Sequence, residues 1–320
     1  MRLVFCGTPL FAVPTLQHLL TLPDFEIVAV FTQPDRPRGR GHEVSFSPVK
    51  ELALAANLPV HQPEKIRAPE VDELLRKLSP HCIVIIAYGQ IIAASLLSIP
   101  KLGWINLHAS LLPKYRGAAP INWAIVNGET RTGVSTMRID AGMDTGDLLL
   151  QREIEIGPAE TAPELSSRLS ELGAPLMAET LRGLAAGTIV PRPQNHAEAT
   201  HAPMLKKEDG RINWSRPAEE IYNRMRGFAP WPGAYTTFRG QTCHLWGQPV
   251  SKGMGAGAAS GVCNATPGTL AREKDEWFVS CGHATVLHLL AVKLEGRKQV
   301  SAAEFANGAH LKTGARFGNT

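Results

Sequence analysis

Asn106 and His108 stand two residues apart at the end of the apolar run Gly103-Trp104-Ile105, and Asp144 follows within Asp140-Ala141-Gly142-Met143-Asp144-Thr145-Gly146-Asp147. An amide, an imidazole and a carboxylate on loops beside a sheet suit acyl transfer to an amine. In such a reaction a carbonyl oxygen turns negative as the nucleophile adds, and the attacking nitrogen must then lose a proton. The amide donates to the oxyanion without titrating. The imidazole relays the proton or, when charged, stabilises the oxyanion, and the carboxylate holds the ring. No covalent nucleophile is required. The residues alone also fit another reading, in which His108 is a hydrogen-bonded structural histidine at a strand exit and Asp144 is a turn residue between glycines.

The surrounding elements must present this trio at one edge of a sheet. Leu3 to Cys6 reads as a first strand, Gly7-Thr8-Pro9 as a turn with proline at the mouth of a helix, Leu10 to Leu22 as that helix, and Glu26 to Thr32 as a second strand. Cys82 to Ala87 and Trp104 to Leu107 are uninterrupted apolar runs of the kind found in strands covered on both faces. Strands alternating with helices predict a doubly wound, Rossmann-like parallel α/β sheet. Its site then lies beyond the carboxyl ends of the strands, where Asn106 and His108 fall. The G-x-G-x-x-G fingerprint is absent after the first strand, and the chain has no G-x-x-x-x-G-K-[ST] loop and no His/Cys cluster at zinc-ligand spacing. Nicotinamide chemistry, nucleotide hydrolysis and a metal site therefore lack support.

Farther on, Thr161 to Ala186 reads as a long helix ended by Gly187, and Thr188 to Pro203, with Pro191, Pro193 and Pro203, as a linker. A helix over Pro217 to Met225 and short β-rich runs in Ala234 to Leu245 and Trp277 to Val292 predict a small β-barrel with an attached helix. Ser251 to Gly261, rich in Gly and Ala, reads as a loop. The expected division is a catalytic domain over 1–188, a linker over 189–206 and a smaller C-terminal domain over 207–316.

At 320 residues, 44% of them hydrophobic and 19% charged, the chain is long enough for two sizeable cores. The net charge of +4 is unevenly placed: residues 1–200 carry 18 Lys/Arg against 20 Asp/Glu, and residues 201–320 carry 15 against 9. A basic C-terminal part can steer a polyanion such as RNA, although a solvated basic surface has the same composition. Cys6, Cys82, Cys243, Cys263 and Cys281 form no Cys-x-x-Cys pair, which fits buried thiols in a reducing compartment. The start of the chain is broken by Pro9 too soon for a signal peptide, and no apolar stretch approaches the roughly 20 residues needed to span a bilayer. A cytoplasmic protein without a membrane partner is expected.

The run from Asn106 to Ile121, Asn-Leu-His-Ala-Ser-Leu-Leu-Pro-Lys-Tyr-Arg-Gly-Ala-Ala-Pro-Ile, with Gly-Met-Asp-Thr-Gly-Asp from Gly142 to Asp147, strongly resembles the folate-dependent formyltransferases. The resemblance implies that Asn106, His108 and Asp144 form a catalytic triad and that the turn Ser110, Leu111, Leu112, Pro113 belongs to a folate-binding loop. It implies 10-formyltetrahydrofolate as co-substrate and no metal. Tyr88, Gly89, Gln90 and Ile91, at the end of a strand by the same crevice, are expected to line the pterin pocket with backbone groups.

Three further features are similar to the branch of this family that formylates methionyl initiator tRNA. The segment Thr32 to Gly41 carries Arg36, Arg38 and Arg40 on a Gly- and Pro-rich loop able to contact phosphates. Where the family commonly continues that loop with lysines, this chain has His42-Glu43-Val44. The segments Ile212-Asn213-Trp214 and Arg226 to Ala234 resemble the entry of an oligonucleotide-binding-like C-terminal barrel, with Trp214 and Trp231 read as core residues rather than RNA contacts. The basic C-terminal part agrees with a domain touching a tRNA backbone. The resemblance thus implies an enzyme that makes N-formylmethionyl-tRNA for translation initiation, and a monomer is expected. The alternatives are an amino-sugar nucleotide formyltransferase, which needs no basic loop, and a non-catalytic RNA-binding protein on the same fold, which has no need of the trio.

Overall fold

Short apolar runs become the inner strands of a sheet, and proline fixes where the first helix begins. The computed structural model describes residues 1–38, 43–250 and 262–318. The chain enters with β1 (Arg2–Gly7) and passes through a single 3₁₀ turn at Leu10–Ala12 into α1 (Val13–Thr21). The helix predicted from Leu10 starts as α-helix only at Val13, because Pro14 lacks an N–H and fits only the first turn. There follow β2 (Glu26–Phe31), the hairpin β3 (Arg36–Arg38) and β4 (Glu43–Ser45), α2 (Pro48–Ala55), β5 (Val60–His61), α3 (Pro69–Leu78) and β6 (Cys82–Ile86). After α4 (Ala94–Leu97) come β7 (Trp104–His108), α5 (Pro120–Val126), β8 (Arg131–Arg138), β9 (Leu148–Glu155) and α6 (Ala162–Ala186). Gly187, at φ +69°, ends α6, and the N–H of Thr188 donates to the Gly183 carbonyl at 2.9 Å.

The seven strands outside the hairpin form one sheet, ordered β5-β2-β1-β6-β7-β8-β9. Pairing is parallel from β5 to β7, and β8 and β9 extend the sheet antiparallel. The sheet is Rossmann-like, and its strand order reverses between β1 and β6, which opens a crevice at their carboxyl ends. The two antiparallel strands carried no readable alternation in the sequence: the middle of β8 is buried throughout, and β9 passes from buried Leu148 and Leu149 to exposed Arg152 and Glu153. β1, β2 and β6 set Val4, Cys6, Ala29, Phe31, Ile83 and Ile85 into one buried cluster with Trp104 and Tyr88.

Contacts divide the chain into two compact units at points other than the contiguous boundaries expected from sequence. Met1–Pro120, Arg131–Glu155 and Glu164–Pro203 form the first, and Ile121–Thr130, Ile156–Pro163 and Met204–Thr320 the second. Much of the segment from 189 to 203 is thus bonded onto the first unit, with Arg192 and Leu148 exchanging both backbone hydrogen bonds.

The second unit contains α7 (Ala218–Gly227) and an antiparallel sheet of β10 (Tyr235–Phe238), β11 (Gln241–Pro249), β12 (Leu270–Glu273), β13 (Glu276–Cys281), β14 (Thr285–Leu294) and β15 (Val300–Ser301). The path is β10-β11-β14-β13-β12, with β15 on β14. α7 packs on β11 and β14, and the last helix, α8 (Ala302–Gly308), packs on β13 and β14. Trp214, Phe238, Trp277, Phe305 and Phe317 fill its core. The predicted loop Ser251 to Gly261 lies outside the described residues. No helix among the described residues is long and apolar enough to cross a membrane.

Four of the five cysteines are buried, and Cys263 alone is half-exposed. Burial pushes the Cys243 and Cys281 thiols up to about 12 and raises those of Cys6 and Cys82 further, so all four stay protonated and unreactive at mildly alkaline pH. A thiol-specific chromogenic reagent applied to the native protein should label Cys263 alone, and all five cysteines should react in denaturant. Rapid labelling of a second thiol in native protein would contradict the packing of these strands.

Candidate active site

β7 carries Asn106 and His108 to the carboxyl edge of the first unit's sheet. Two residues apart on a strand, they project from the same face, while Leu107 between them packs on the other face into the gap left by Gly173 of α6. Asn106 is 9% exposed and His108 6%. The Asn106 amide makes no hydrogen bond to any described residue. His108 is held on both sides of its ring: Nε2 donates to the Tyr115 carbonyl at 2.8 Å, and Nδ1 lies 3.6 Å from Oδ2 of Asp144. A carbonyl only accepts, so Nε2 carries a proton, and Nδ1 is the ring nitrogen that faces the Asp144 carboxylate.

Asp144 comes from the loop joining β8 to β9, where its backbone is left-handed at φ +54°. Its Oδ2 also accepts the N–H of Gly117 at 2.8 Å. One carboxylate oxygen therefore joins the strand exit at His108, the turn at Gly117 and its own loop. Asp140 fastens that loop by accepting from the Gly142 N–H at 3.0 Å and the Thr145 hydroxyl at 2.7 Å. Gly146 lets it close on β8, since a Cβ there would come within 1.9 Å of the Arg138 carbonyl oxygen.

Behind the trio lie two residues that the sequence reading missed. Arg116, 5% exposed, donates from Nε and Nη2 to Oε1 of Gln194 at 3.1 and 2.6 Å, and its Nη1 lies 3.2 Å from His196 Nδ1. Gln194 in turn donates from its amide nitrogen to the carbonyls of Asp144 at 2.9 Å and Gly146 at 2.7 Å. Arg116 was visible only as a member of a motif. Gln194 had no signal, because its partners lie about fifty residues or more away in the chain. The same segment bonds to the turn after β7, the Ala202 N–H donating to the Arg116 carbonyl at 2.7 Å. A Cβ on Gly117, at φ +119°, would meet the Ala202 carbonyl oxygen at 2.6 Å.

The turn predicted to bind folate is fixed from below by two polar side chains. The Ser135 hydroxyl of β8 donates to the Ser110 carbonyl at 2.6 Å and accepts from the Leu112 N–H at 3.1 Å. Gln151 of β9 donates to the Leu112 carbonyl at 3.0 Å. Ser110 and Leu112 are buried, whereas Leu111 and Pro113 are half-exposed. At the end of the neighbouring β6, the Tyr88 carbonyl already accepts from Thr8 Oγ1 at 3.2 Å and Gln33 Nε2 at 2.9 Å. The Tyr88 ring lies in the core with its hydroxyl unpartnered, and burial raises its pKa. Gln90 is committed to the Ile66 N–H at 2.6 Å and the Pro63 carbonyl at 3.0 Å. Ile91, 90% exposed, is the side chain of this group that stands in solvent.

Of the predicted RNA contacts, Arg36 is exposed and reaches Glu64 at 4.0 Å, Arg38 lies on β3, and Arg40 falls outside the described residues. The hairpin's two ends are joined by Thr32 and Ser47, whose hydroxyls hydrogen-bond at 2.7 Å, and by the Asp35–Lys50 ion pair. The hydrogen bond from Lys50 holds the Asp35 carboxyl below its usual range. The chain reaches this hairpin from β2, three strand spacings or about 14 Å from β7, so Arg36 and the trio share an edge of the sheet without touching.

A Rossmann-like sheet with an amide, an imidazole and a carboxylate at its carboxyl edge and an antiparallel second unit is the architecture of a group-transfer enzyme. Residues 1–181 match the Formyl transferase family and residues 204–310 its C-terminal domain. The chain belongs to the formyl transferase family. It is 55% identical to the methionyl-tRNA formyltransferase of Solibacter usitatus over 319 residues, with 99% of each chain covered. It is 52% identical to that of Koribacter versatilis over 320 residues, again with 99% of each covered. The solved N-formyltransferase from Helicobacter canadensis, in complex with folinic acid and dTDP-3-aminofucose, is similar in fold, with a TM-score of 0.62 at 18% identity over 90% of this chain and 98% of that one.

Gln194→Leu removes the donor to the Asp144 and Gly146 carbonyls and leaves the Arg116 guanidinium without its main acceptor. We expect it to cost about 1–3 kcal/mol of stability, read by denaturant unfolding, together with a fall in kcat. Wild-type stability and turnover in this variant would mean that the segment does not hold Asp144.

Proposed function

We propose that this enzyme transfers the formyl group of 10-formyltetrahydrofolate to the α-amine of methionyl initiator tRNA, giving N-formylmethionyl-tRNA. The observation that carries the chemistry is the Asn106 amide, nearly buried beside His108 and making no hydrogen bond to any described residue. A donor fixed by its strand and uncommitted to the protein suits an oxygen that becomes negative only during reaction, because it needs little reorganisation. The acceptor is supported by the 55% identity to a methionyl-tRNA formyltransferase along nearly the whole chain.

In this reading the amine nitrogen attacks the formyl carbon, and a C–N bond forms as the carbonyl oxygen takes the electron pair. Asn106 donates to that oxygen, and the His108 ring stabilises it or relays the amine's proton. Asp144 orients the ring and, through water, accepts that proton. Collapse breaks the bond from the formyl carbon to the folate nitrogen, which leaves with the proton taken from the amine, returned from Asp144 through water. Gly89 to Ile91 and the turn Ser110 to Pro113 hold the folate, the half-exposed Leu111 and Pro113 and the exposed Ile91 giving apolar contacts. Arg36, Arg38 and Arg40 contact tRNA phosphates, and residues 207–316 act as the OB-like tRNA-binding domain of a monomeric cytoplasmic enzyme.

Formyl transfer from 10-formyltetrahydrofolate should be compared on methionyl initiator tRNA, methionyl elongator tRNA and free methionine, with product expected on the initiator alone. Folate turnover without formylated tRNA would overturn the acceptor. Asn106→Ala should lower kcat by roughly 10²- to 10³-fold, and near-full turnover would remove its assigned role.

A further inference from the structure

Trp231, expected from sequence to lie in the core, is 55% exposed, and Trp246 is 38% exposed. Trp214 of the same unit shows what a core tryptophan does here: it is buried, stacks on Phe317 at 5.7 Å, and donates to Thr236 Oγ1 at 3.2 Å. Trp231 and Trp246 instead line one depression of about 530 Å³, together with Tyr235, His244, Lys207 and Lys293.

The strand register explains how these residues meet. Tyr235 pairs with His244 across β10 and β11, and His244 pairs with Lys293 across β11 and β14, which makes a row over three strands. Trp246 is two residues beyond His244 and shares its face, while Cys243 and Leu245 turn into the core. The Tyr235 and His244 rings lie 5.9 Å apart. Burial first, and then the Lys293 ammonium, hold the His244 ring below the usual histidine value, so it is uncharged at neutral pH and offers a flat stacking face.

We propose that this outward face of the second unit's sheet is a stacking platform for an unpaired nucleotide of RNA, with Trp231 and Trp246 taking bases and Lys207 and Lys293 taking the adjoining phosphates. Aromatic rings beside ammonium groups, with no carboxylate among the residues lining the depression, match the chemistry of a base and its phosphate. The inference rests on the reading that the formyl acceptor is an RNA and assigns a place to one single-stranded part of it.

The test titrates the full-length protein with a short single-stranded oligoadenylate, following intrinsic tryptophan fluorescence, alongside Trp231→Leu, Trp246→Leu and the double variant Lys207→Gln/Lys293→Gln. The wild type should be quenched. Each tryptophan variant should bind about tenfold more weakly and show a raised KM for tRNA. The lysine variant should lower the slope of log affinity against log salt by about 1.4, roughly 0.7 for each phosphate contact on a single strand. If the wild type formylates methionyl-tRNA but the tryptophan variants bind oligoadenylate like wild type, the platform is wrong and the acceptor stands. If oligoadenylate quenches and the variants weaken it while no tRNA is formylated, the acceptor fails and the platform stands. Quenching by polyglutamate and none by oligoadenylate would make the face a protein-docking surface and overturn the proposal.

Discussion

Oδ2 of Asp144 receives the Gly117 N–H and faces Nδ1 of His108, and the arrangement of the site depends on that one oxygen being where it is. It can be there only if the loop between β8 and β9 folds back on its strand. That requires a left-handed backbone at Asp144 and no side chain at Gly146. Asp140 fastens the loop from within, and the Gln194 amide fastens it from below. The histidine then has a fixed ring plane, because Tyr115 and Asp144 hold its two nitrogens from opposite sides.

The buried Arg116 explains why a segment after the long helix α6 is drawn into this arrangement. A guanidinium removed from water without acceptors is costly. Here Gln194 and His196 serve as acceptors, and Gln194 passes the constraint on to the Asp144 loop with its own N–H groups. The same logic holds in the turn after β7, where Ser135 and Gln151 satisfy the Ser110 and Leu112 backbone groups that would otherwise be buried unpaired. Groups that hold the fold together are thus the ones that position the chemistry. This leaves the Asn106 side-chain amide without a hydrogen bond to any described residue while its neighbours are committed to the protein.

The two units use aromatic residues in opposite ways. The first buries Tyr88 and Trp104 in the sheet's core. The second buries Trp214, Trp277, Phe238, Phe305 and Phe317 in one cluster and leaves Trp231 and Trp246 partly in solvent. Residue type could not tell these cases apart, because a tryptophan is apolar enough for a core and flat enough for a surface, and its exposure is set by contacts with segments distant in the chain.

The first strands, the long helix to Ala186 with its terminating Gly187, and the placement of Asn106 and His108 at a strand exit were legible in the sequence. Each depends on local preferences: uninterrupted apolar runs, a proline confined to a helix start, a glycine free to turn left-handed. The motif around His108 and Asp144 named the chemistry. It did not contain the distances between them or the support from Arg116 and Gln194. β8 was not legible because a strand buried on both faces does not alternate, and β9 was not because it runs from buried Leu148 and Leu149 to exposed Arg152 and Glu153 instead of alternating. By itself the sequence determined which residue types are present and which local elements form, since these depend on near neighbours. Tertiary structure alone decided that Gln194 lies under Asp144 and that Trp231 stands in solvent, because both follow from contacts between segments far apart in the chain.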